Sequence, residues 1–586
     1  MGIKPKMANE TLDTLIQNRE KTQARMRDLG IPMWITWVED NGAENETLSL
    51  IGAPHGAANR AYVLTPDNAV SFCFHTEAGK QQEYGFELVR TDRDVLTPLV
   101  EGLEQHFEMS QIDRIALNFS DDLSLDTLGH GNYEKITAAL TRRYEGLEFM
   151  SADQLTTATQ TPTAKTSQPI EVNDKILKNS AEKRKQTQSL MRDLGHDLWV
   201  IIAANNDAEK AHLPLIGAPE GEGIRAYVLT ADQAISFCPS ENAELQRRHG
   251  FESIMIEGDS LSNNDFPAAL AEILNTQITL NPGMQIALNI SSEFGTMDTL
   301  GQCTYEKLTA ALEEKCQGLK FSSSDQLIIA AASAKLPYEI NLLTEAASLT
   351  DRVLRETFAQ IKAGMTEKDV AAITKGLIAE LMEKDSRINY GWKAELNPIV
   401  LAGEGIGGSP HAPPTNRIIQ PGDNVYIDLG ISVEGYGGDL QHFGYVLREG
   451  ETEAPAEVQA QYNLVIRSIE AGMAAAVPGA LGWEVDKAAR DVIVEAGYPS
   501  YDHGTGHQLG CGNDHAPGML FERRFPNGEG TAEFRLSTLA LQEGYTMTIE
   551  PRIQVPNGAS IEVDGMITKD GFKPLVPMQD RIHLIR

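Results

Sequence analysis

Residues 424–446 read NVYIDLGISVEGYGGDLQHFGYV. Two apolar β runs flank Val433-Glu434-Gly435, so the stretch is expected to fold back on itself as a hairpin. Each arm carries one aspartate in apolar company, Asp428 and Asp439, eleven positions apart. A turn centred on that stretch is expected to set the two carboxylates opposite each other, with Cβ atoms ~4.5–5.5 Å apart. Residues 548–565, TIEPRIQVPNGASIEVDG, repeat the pattern. Glu550 and Glu562 lie twelve apart around Pro556-Asn557-Gly558, and Asn-Gly is a strong hairpin signal.

Burying one ionised carboxylate is costly, and four together repel. Protonation is one remedy and two divalent cations are the other. Taken singly, each acid reads as an ordinary strand-edge group on a solvated face. The two matched hairpins turn the reading toward metal. Histidines gather in the same third of the chain. DHGTGHQLGCGNDHAPG, residues 502–518, holds His503, His507 and His515. Oxygen-rich ligation with one imidazole suits manganese, iron, cobalt or zinc better than copper. His411 lies in GGSPHAPP, a Gly/Pro-rich loop of the kind that carries binding groups. Gly403-x-Gly405-x-x-Gly408 imitates a dinucleotide fingerprint, but Pro410, Pro413 and Pro414 prevent the helix that motif requires.

The first half of the chain repeats itself. MRDLG at 26–30 returns at 191–195 and RAYVLT at 60–65 returns at 225–230, an offset of 165. DTLG at 126–129 returns at 298–301, an offset of 172. Each copy mixes helical stretches with short β runs, an α/β pattern. Thr-, Pro- and Ser-rich residues between the copies read as a linker. The expected layout is an α/β domain at 1–155, a linker at 156–172, a duplicated α/β domain at 173–334, and an α+β domain at 335–586.

The 586 residues exceed what one core holds, roughly 250–300 residues. With 83 Asp plus Glu against 50 Lys plus Arg, the net charge is −33, which argues against nucleic acid and anionic membranes as partners. No apolar run approaches the roughly 18 residues of a membrane span. The start, MGIKPKMANETLD, shows no secretory signal, and five scattered cysteines without CxxC spacing read as reduced thiols. A cytoplasmic location is expected.

At the acids and histidines above, roughly residues 335–586 resemble the M24 metallopeptidases, the pita-bread fold of aminopeptidase P, prolidase and methionine aminopeptidase. The two preceding domains resemble the creatinase N-domains of three-domain Xaa-Pro aminopeptidases. The resemblance implies an α+β pita-bread catalytic domain behind two duplicated creatinase-N-like domains. It implies two divalent metal ions, manganese first and zinc, cobalt or iron as alternatives, held by Asp428, Asp439, His507, Glu550 and Glu562. Asp439 and Glu562 would bridge the ions, and a water or hydroxide between them would be the nucleophile. Glu550 would also be the general base. His411 would hold substrate and stabilise the tetrahedral intermediate, with His515 a second catalytic histidine and His503 a substrate contact. A homodimer and a peptide with proline in second position are implied as well. The chain departs from the family in several places. Asp514 stands where the second histidine is usual, with His515 one residue later. Arg552 replaces the glycine after TIEP, and Ser560 replaces an arginine two before the last ligand. Gln441 and His442 replace a Thr-Arg pair. Arg552 is read either as a partner of a surface acid or as a contact for a substrate carboxylate. These departures leave open a same-fold enzyme acting on a small non-peptide molecule, creatinase-like hydrolase or lyase. A non-catalytic binding module is the remaining alternative.

Overall fold

The computed structural model describes residues 12–38, 47–51, 53–54, 60–74, 78–91, 95–120, 126–156, 173–203, 212–219, 221, 223–256, 266–294, 297–392, 397–410, 412–511, 516–521 and 532–586. The chain divides into two compact units, one of residues 1–167 and 180–328, the other of 168–179 and 329–586.

The first unit holds two six-stranded sheets of one design. Strands β1 (Met33–Val38), β2 (Arg60–Leu64), β3 (Ala69–Phe74), β4 (Glu87–Thr91), β5 (Arg114–Leu117) and β6 (Glu148–Ser151) lie in the order β4-β3-β2-β1-β5-β6. Strands β7 (Leu198–Ala203), β8 (Arg225–Leu229), β9 (Ala234–Cys238), β10 (Glu252–Met255), β11 (Gln285–Leu288) and β12 (Lys320–Ser323) follow the same order, β10-β9-β8-β7-β11-β12. Alternate residues of β1 enter two cores: Met33, Ile35 and Trp37 on one face, Trp34 and Val38 on the other. Both faces are covered, so the strand is apolar throughout rather than alternating. Trp34 and its repeat equivalent Trp199 are both fully buried. Cys73 and Cys238 are buried cysteines outside any disulfide, at matching places in β3 and β9.

The repeated DTLG segments meet each other. Gly129 and Gly301 form an antiparallel bridge at the starts of helices α1 (His130–Arg143) and α2 (Gln302–Lys315). His130 N donates to Leu300 O and Gln302 N to Leu128 O, each at 3.0 Å, so the contact has local two-fold symmetry. Each aspartate caps the helix of the other copy. Asp298 accepts from Gly131 N at 3.0 Å and Asn132 N at 2.8 Å. Asp126 accepts from Thr304 N at 2.9 Å and Thr304 Oγ1 at 2.8 Å. These donors are the orphan N–H groups of a helix start, which an N-terminal anion satisfies. Only glycine fits between them: a Cβ on Gly129 would stand 2.3 Å from Asp298 Oδ2.

The second unit opens with helices α3 (Pro337–Phe358) and α4 (Glu367–Lys384). Thr366 caps α4: Thr366 Oγ1 accepts from Asp369 N, and Asp369 accepts in return from Thr366 N. One sheet runs β13 (Ile388–Tyr390), β15 (Asn424–Val433), β16 (Tyr436–Val446) and β24 (His583–Ile585), with β14 (Ile399–Ala402) also paired to β15. The other runs β18 (Ala516–Leu520), β17 (Gly506–Gln508), β19 (Thr546–Ile549), β22 (Val563–Thr568) and β23 (Gly571–Pro574). A short ribbon joins β20 (Arg552–Ile553) to β21 (Ala559–Ser560). Helix α3 lies close on β16 because the contact is made of small residues: a Cβ on Gly438 would stand 2.4 Å from Ala347 N. Helices α5 (Ala456–Ala475) and α6 (Gly482–Glu495) share a core with the second sheet. Among the described residues no helix is long and apolar enough to cross a membrane.

Candidate metal centre

The hairpin β15–β16 turns through two residues, Glu434 and Gly435, both at positive φ (51° and 83°). Such a turn suits the twist of a hairpin. It moves the expected partners by two residues. Asp439 faces Gly430, and Asp428 faces Gln441. The two aspartates are therefore not directly opposite, as had been expected of a turn in the Val433-Glu434-Gly435 stretch. They stand diagonally on one face, because 428 and 430 share a face and 439 pairs with 430.

The second hairpin keeps the predicted register. Ile549 pairs with Val563, and Arg552 pairs with Ser560. Positions 550 and 562 fall opposite each other between these pairs. The chain reverses at Pro556-Asn557, where Gly558 N donates to Val555 O at 2.9 Å and Asn557 takes φ 55°. Asn557 also ties the hairpins together. Its side-chain oxygen accepts from Asn424 N at 2.7 Å, and its carbonyl accepts from Asn424 Nδ2 at 2.7 Å.

His507 comes from β17, with an irregular register just after it. Its Nδ1 lies 3.2 Å from Gln508 O. A carbonyl only accepts, so Nδ1 carries the proton and Nε2 presents a lone pair. Nε2 lies 3.6 Å from Asp439 Oδ2 and 3.8 Å from Glu550 Oε1. Ligand atoms of Asp439, His507 and Glu562 fall within 4.8 Å of one another, and all three residues are buried. Asp428 and Glu550 join the group through Gln441, whose Nε2 is 3.3 Å from Asp428 Oδ2 and 3.2 Å from Glu550 Oε2. The structure thus brings together all five residues expected as ligands.

The electrostatics fit cations. Burial, then the charges of Asp439, Glu550, Asp428 and Asp564, push the Glu562 carboxyl well above its usual range. Glu562 Oε1 is buried without a hydrogen-bond partner. A lone oxygen of this kind, facing an imidazole lone pair and other acids, is suited to a divalent ion and to little else. Asp564 is a residue the sequence reading missed. It is fully buried, its Oδ2 accepts from Asp439 N at 2.9 Å, and burial drives its carboxyl upward too. The signal was present: Glu562-Val563-Asp564 puts both acids on one face of a strand.

The remaining expected site residues separate. Arg552 is not at the surface. It is 1 % exposed, its guanidinium lies 5.2 Å from the Tyr426 ring centre, and Nη2 donates to Ile406 O. No carboxylate is in ion-pair reach of it among the described residues, so the reading as a partner of a surface acid is corrected. Gly407 and its neighbours cover the strand here: a Cβ on Gly407 would meet Pro556 at 2.7 Å. His503 stacks near Tyr501 at 5.0 Å, with Nδ1 2.7 Å from Gly504 O. His411, Asp514 and His515 lie outside the described residues.

The profile of metallopeptidase family M24 matches residues 341–569, the span that holds all five converging residues. Residues 341–569 are thus similar to the M24 metallopeptidases. Over 262 residues the chain is 31 % identical to an Xaa-Pro dipeptidase of Lactobacillus helveticus, covering 43 % of this chain and 62 % of that relative. It is 28 % identical over 268 residues to an Xaa-Pro dipeptidase of Pyrococcus horikoshii, covering 45 % and 68 %. The chain thus spans less than two thirds of the length of the first of these. In structure it is similar to an X-prolyl aminopeptidase of Caenorhabditis elegans, with TM-score 0.66 and 15 % identity over 98 % of this chain and 92 % of that one. That protein is described as a cytosolic enzyme with a di-nuclear active site. The M24-like region and the two sheets of one design make up the α+β architecture expected from the sequence.

Proposed function

We propose that the chain is a dinuclear metal-dependent aminopeptidase that hydrolyses the N-terminal Xaa-Pro bond of peptides. The observation that carries this reading is the buried convergence of Asp428, Asp439, His507, Glu550 and Glu562 inside an M24 domain. These five residues are the proposed ligands of two divalent ions, manganese first. Such ions supply Lewis acidity and lower the pKa of water toward neutrality. Glu550 is the proposed general base, since its carboxylate borders both His507 and Gln441. His411, His515, His503 and Arg552 are the proposed substrate-side residues. A homodimer in the cytoplasm completes the reading.

A second reading, dipeptidase rather than aminopeptidase, is supported by the name of the Lactobacillus relative. The decisive experiment combines metal analysis of chain purified without chelator, an Asp439→Asn control, and a substrate panel. The panel holds Xaa-Pro dipeptides, longer Xaa-Pro peptides, and small amides and amidines. About two ions per chain, lost in the variant, with cleavage of the longer peptides, is the expected result. Cleavage of dipeptides alone selects the dipeptidase. Well-folded chain without metal, or activity only on small amides, overturns the peptidase reading.

A further inference from the structure

Gln441 stands between the two hairpins. It faces Asp428 directly across the β15–β16 ladder and is 5 % exposed. Its amide nitrogen reaches one proposed ligand from each hairpin, Asp428 Oδ2 at 3.3 Å and Glu550 Oε2 at 3.2 Å. Its amide oxygen accepts from Ser560 Oγ. Its backbone carbonyl accepts from Glu562 N at 3.2 Å. The amide orientation is settled by chemistry: two carboxylates can only accept, so the NH2 end must face them and the oxygen must face the hydroxyl. Both N–H donors and the oxygen are thereby used.

The surrounding charge gives this arrangement its meaning. The ladder partner of Ser560 is Arg552. Arg552 does not supply a charge to the acids. Its guanidinium lies over Tyr426 and donates to the carbonyls of Ile406 and Gly408. Asp428 and Glu550 each accept from this one neutral amide.

We propose that Gln441 is a positioning residue of the metal centre and that Ser560 acts through it by fixing its rotamer. This rests on the metal-centre reading above. Outer partners of metal ligands set ligand orientation, and losing one weakens metal binding about 10- to 100-fold. Gln441→Leu keeps the approximate shape and removes all three side-chain hydrogen bonds. Ser560→Ala removes only the contact that holds the amide.

The test is calorimetric titration of manganese(II) into full-length chain stripped with chelator, with thermal unfolding of each stripped variant alongside. Gln441→Leu is expected to bind manganese at least about 10-fold more weakly. Ser560→Ala is expected to show a smaller loss, and the double variant to bind no more weakly than Gln441→Leu alone. That non-additivity is what a purely structural role would not produce, since independent losses add. Wild-type affinity in Gln441→Leu overturns the proposal and leaves the metal centre standing. So does a Ser560→Ala loss that persists in full on the Gln441→Leu background. If Gln441→Leu does not fold, Ser560→Ala at wild-type affinity is the refuting result. A wild-type chain that binds no manganese overturns the centre and this proposal together.

Discussion

Asp298→Ala removes one half of the reciprocal cap between the two α/β domains, and its cost follows from the contacts. The carboxylate accepts from Gly131 N, Asn132 N and Ser291 N, at 2.8–3.0 Å, and Asp298 is 6 % exposed. Loss of an N-cap acceptor costs roughly 0.5–2 kcal/mol. The Ser291 donor, buried and left without a partner, adds about 1–3 kcal/mol. The sum is about 3 kcal/mol. In domains of this size each kcal/mol moves the midpoint by roughly 2–4 °C, so the transition should fall by about 6–12 °C. Scanning calorimetry of the full chain measures it. Gly129→Ala attacks the same contact sterically, since the new Cβ would lie 2.3 Å from Asp298 Oδ2 and 2.5 Å from its carbonyl oxygen. It should lower the same transition and leave that of the second unit unmoved. A midpoint within about 2 °C of wild type for both variants, less than 1 kcal/mol, would refute the claim that this contact holds the pair together.

Burial pushes the Asp126 carboxyl from 3.8 up to about 6, against the donors from Thr304 and Ser120. Between those values the folded chain holds a proton that the unfolded chain has released, so stability falls as pH rises through the window. The difference is roughly 3 kcal/mol at about 1.36 kcal/mol per unit, and Asp126→Asn should flatten that slope in denaturant titrations run from pH ~4 to ~7. Chelator treatment should lower the unfolding temperature of the second unit, because a ligand at about 100 times its Kd adds about 2.7 kcal/mol to the folded state; an unchanged transition on adding manganese back would refute metal-linked stability. Gly438→Ala should cost about 1–3 kcal/mol, since α3 must withdraw from a Cβ 2.4 Å from Ala347 N; a neutral result would mean the helix moves freely.

The five converging residues were legible because ionisable side chains in apolar strands stand out against their neighbours. The first hairpin's exact pairing was not. Centring the turn between Val433 and Glu434 or between Glu434 and Gly435 moves every partner by two residues, and only the backbone angles decide it. Gln441 escaped as a site residue because a neutral amide in a strand carries no alarm of unpaid charge. Arg552 was misplaced as one of its two readings because the loop that covers it, Ile406 to Gly408, lies far away in sequence. The DTLG repeat was visible as a repeat. That each aspartate caps its counterpart's helix was not, since a capping residue ordinarily stands next to the helix it serves.

The reciprocal cap has a consequence for assembly. Two separate copies of such a domain would find each other at a rate set by their concentration. Joined in one chain, they meet at an effective concentration fixed by the tether rather than by the bulk concentration. Dilution therefore does not part them. Because the matched requirement is confined to Asp126, Gly129, Asp298, Gly301 and the helix starts they serve, each copy is released to diverge elsewhere while its partner remains supplied.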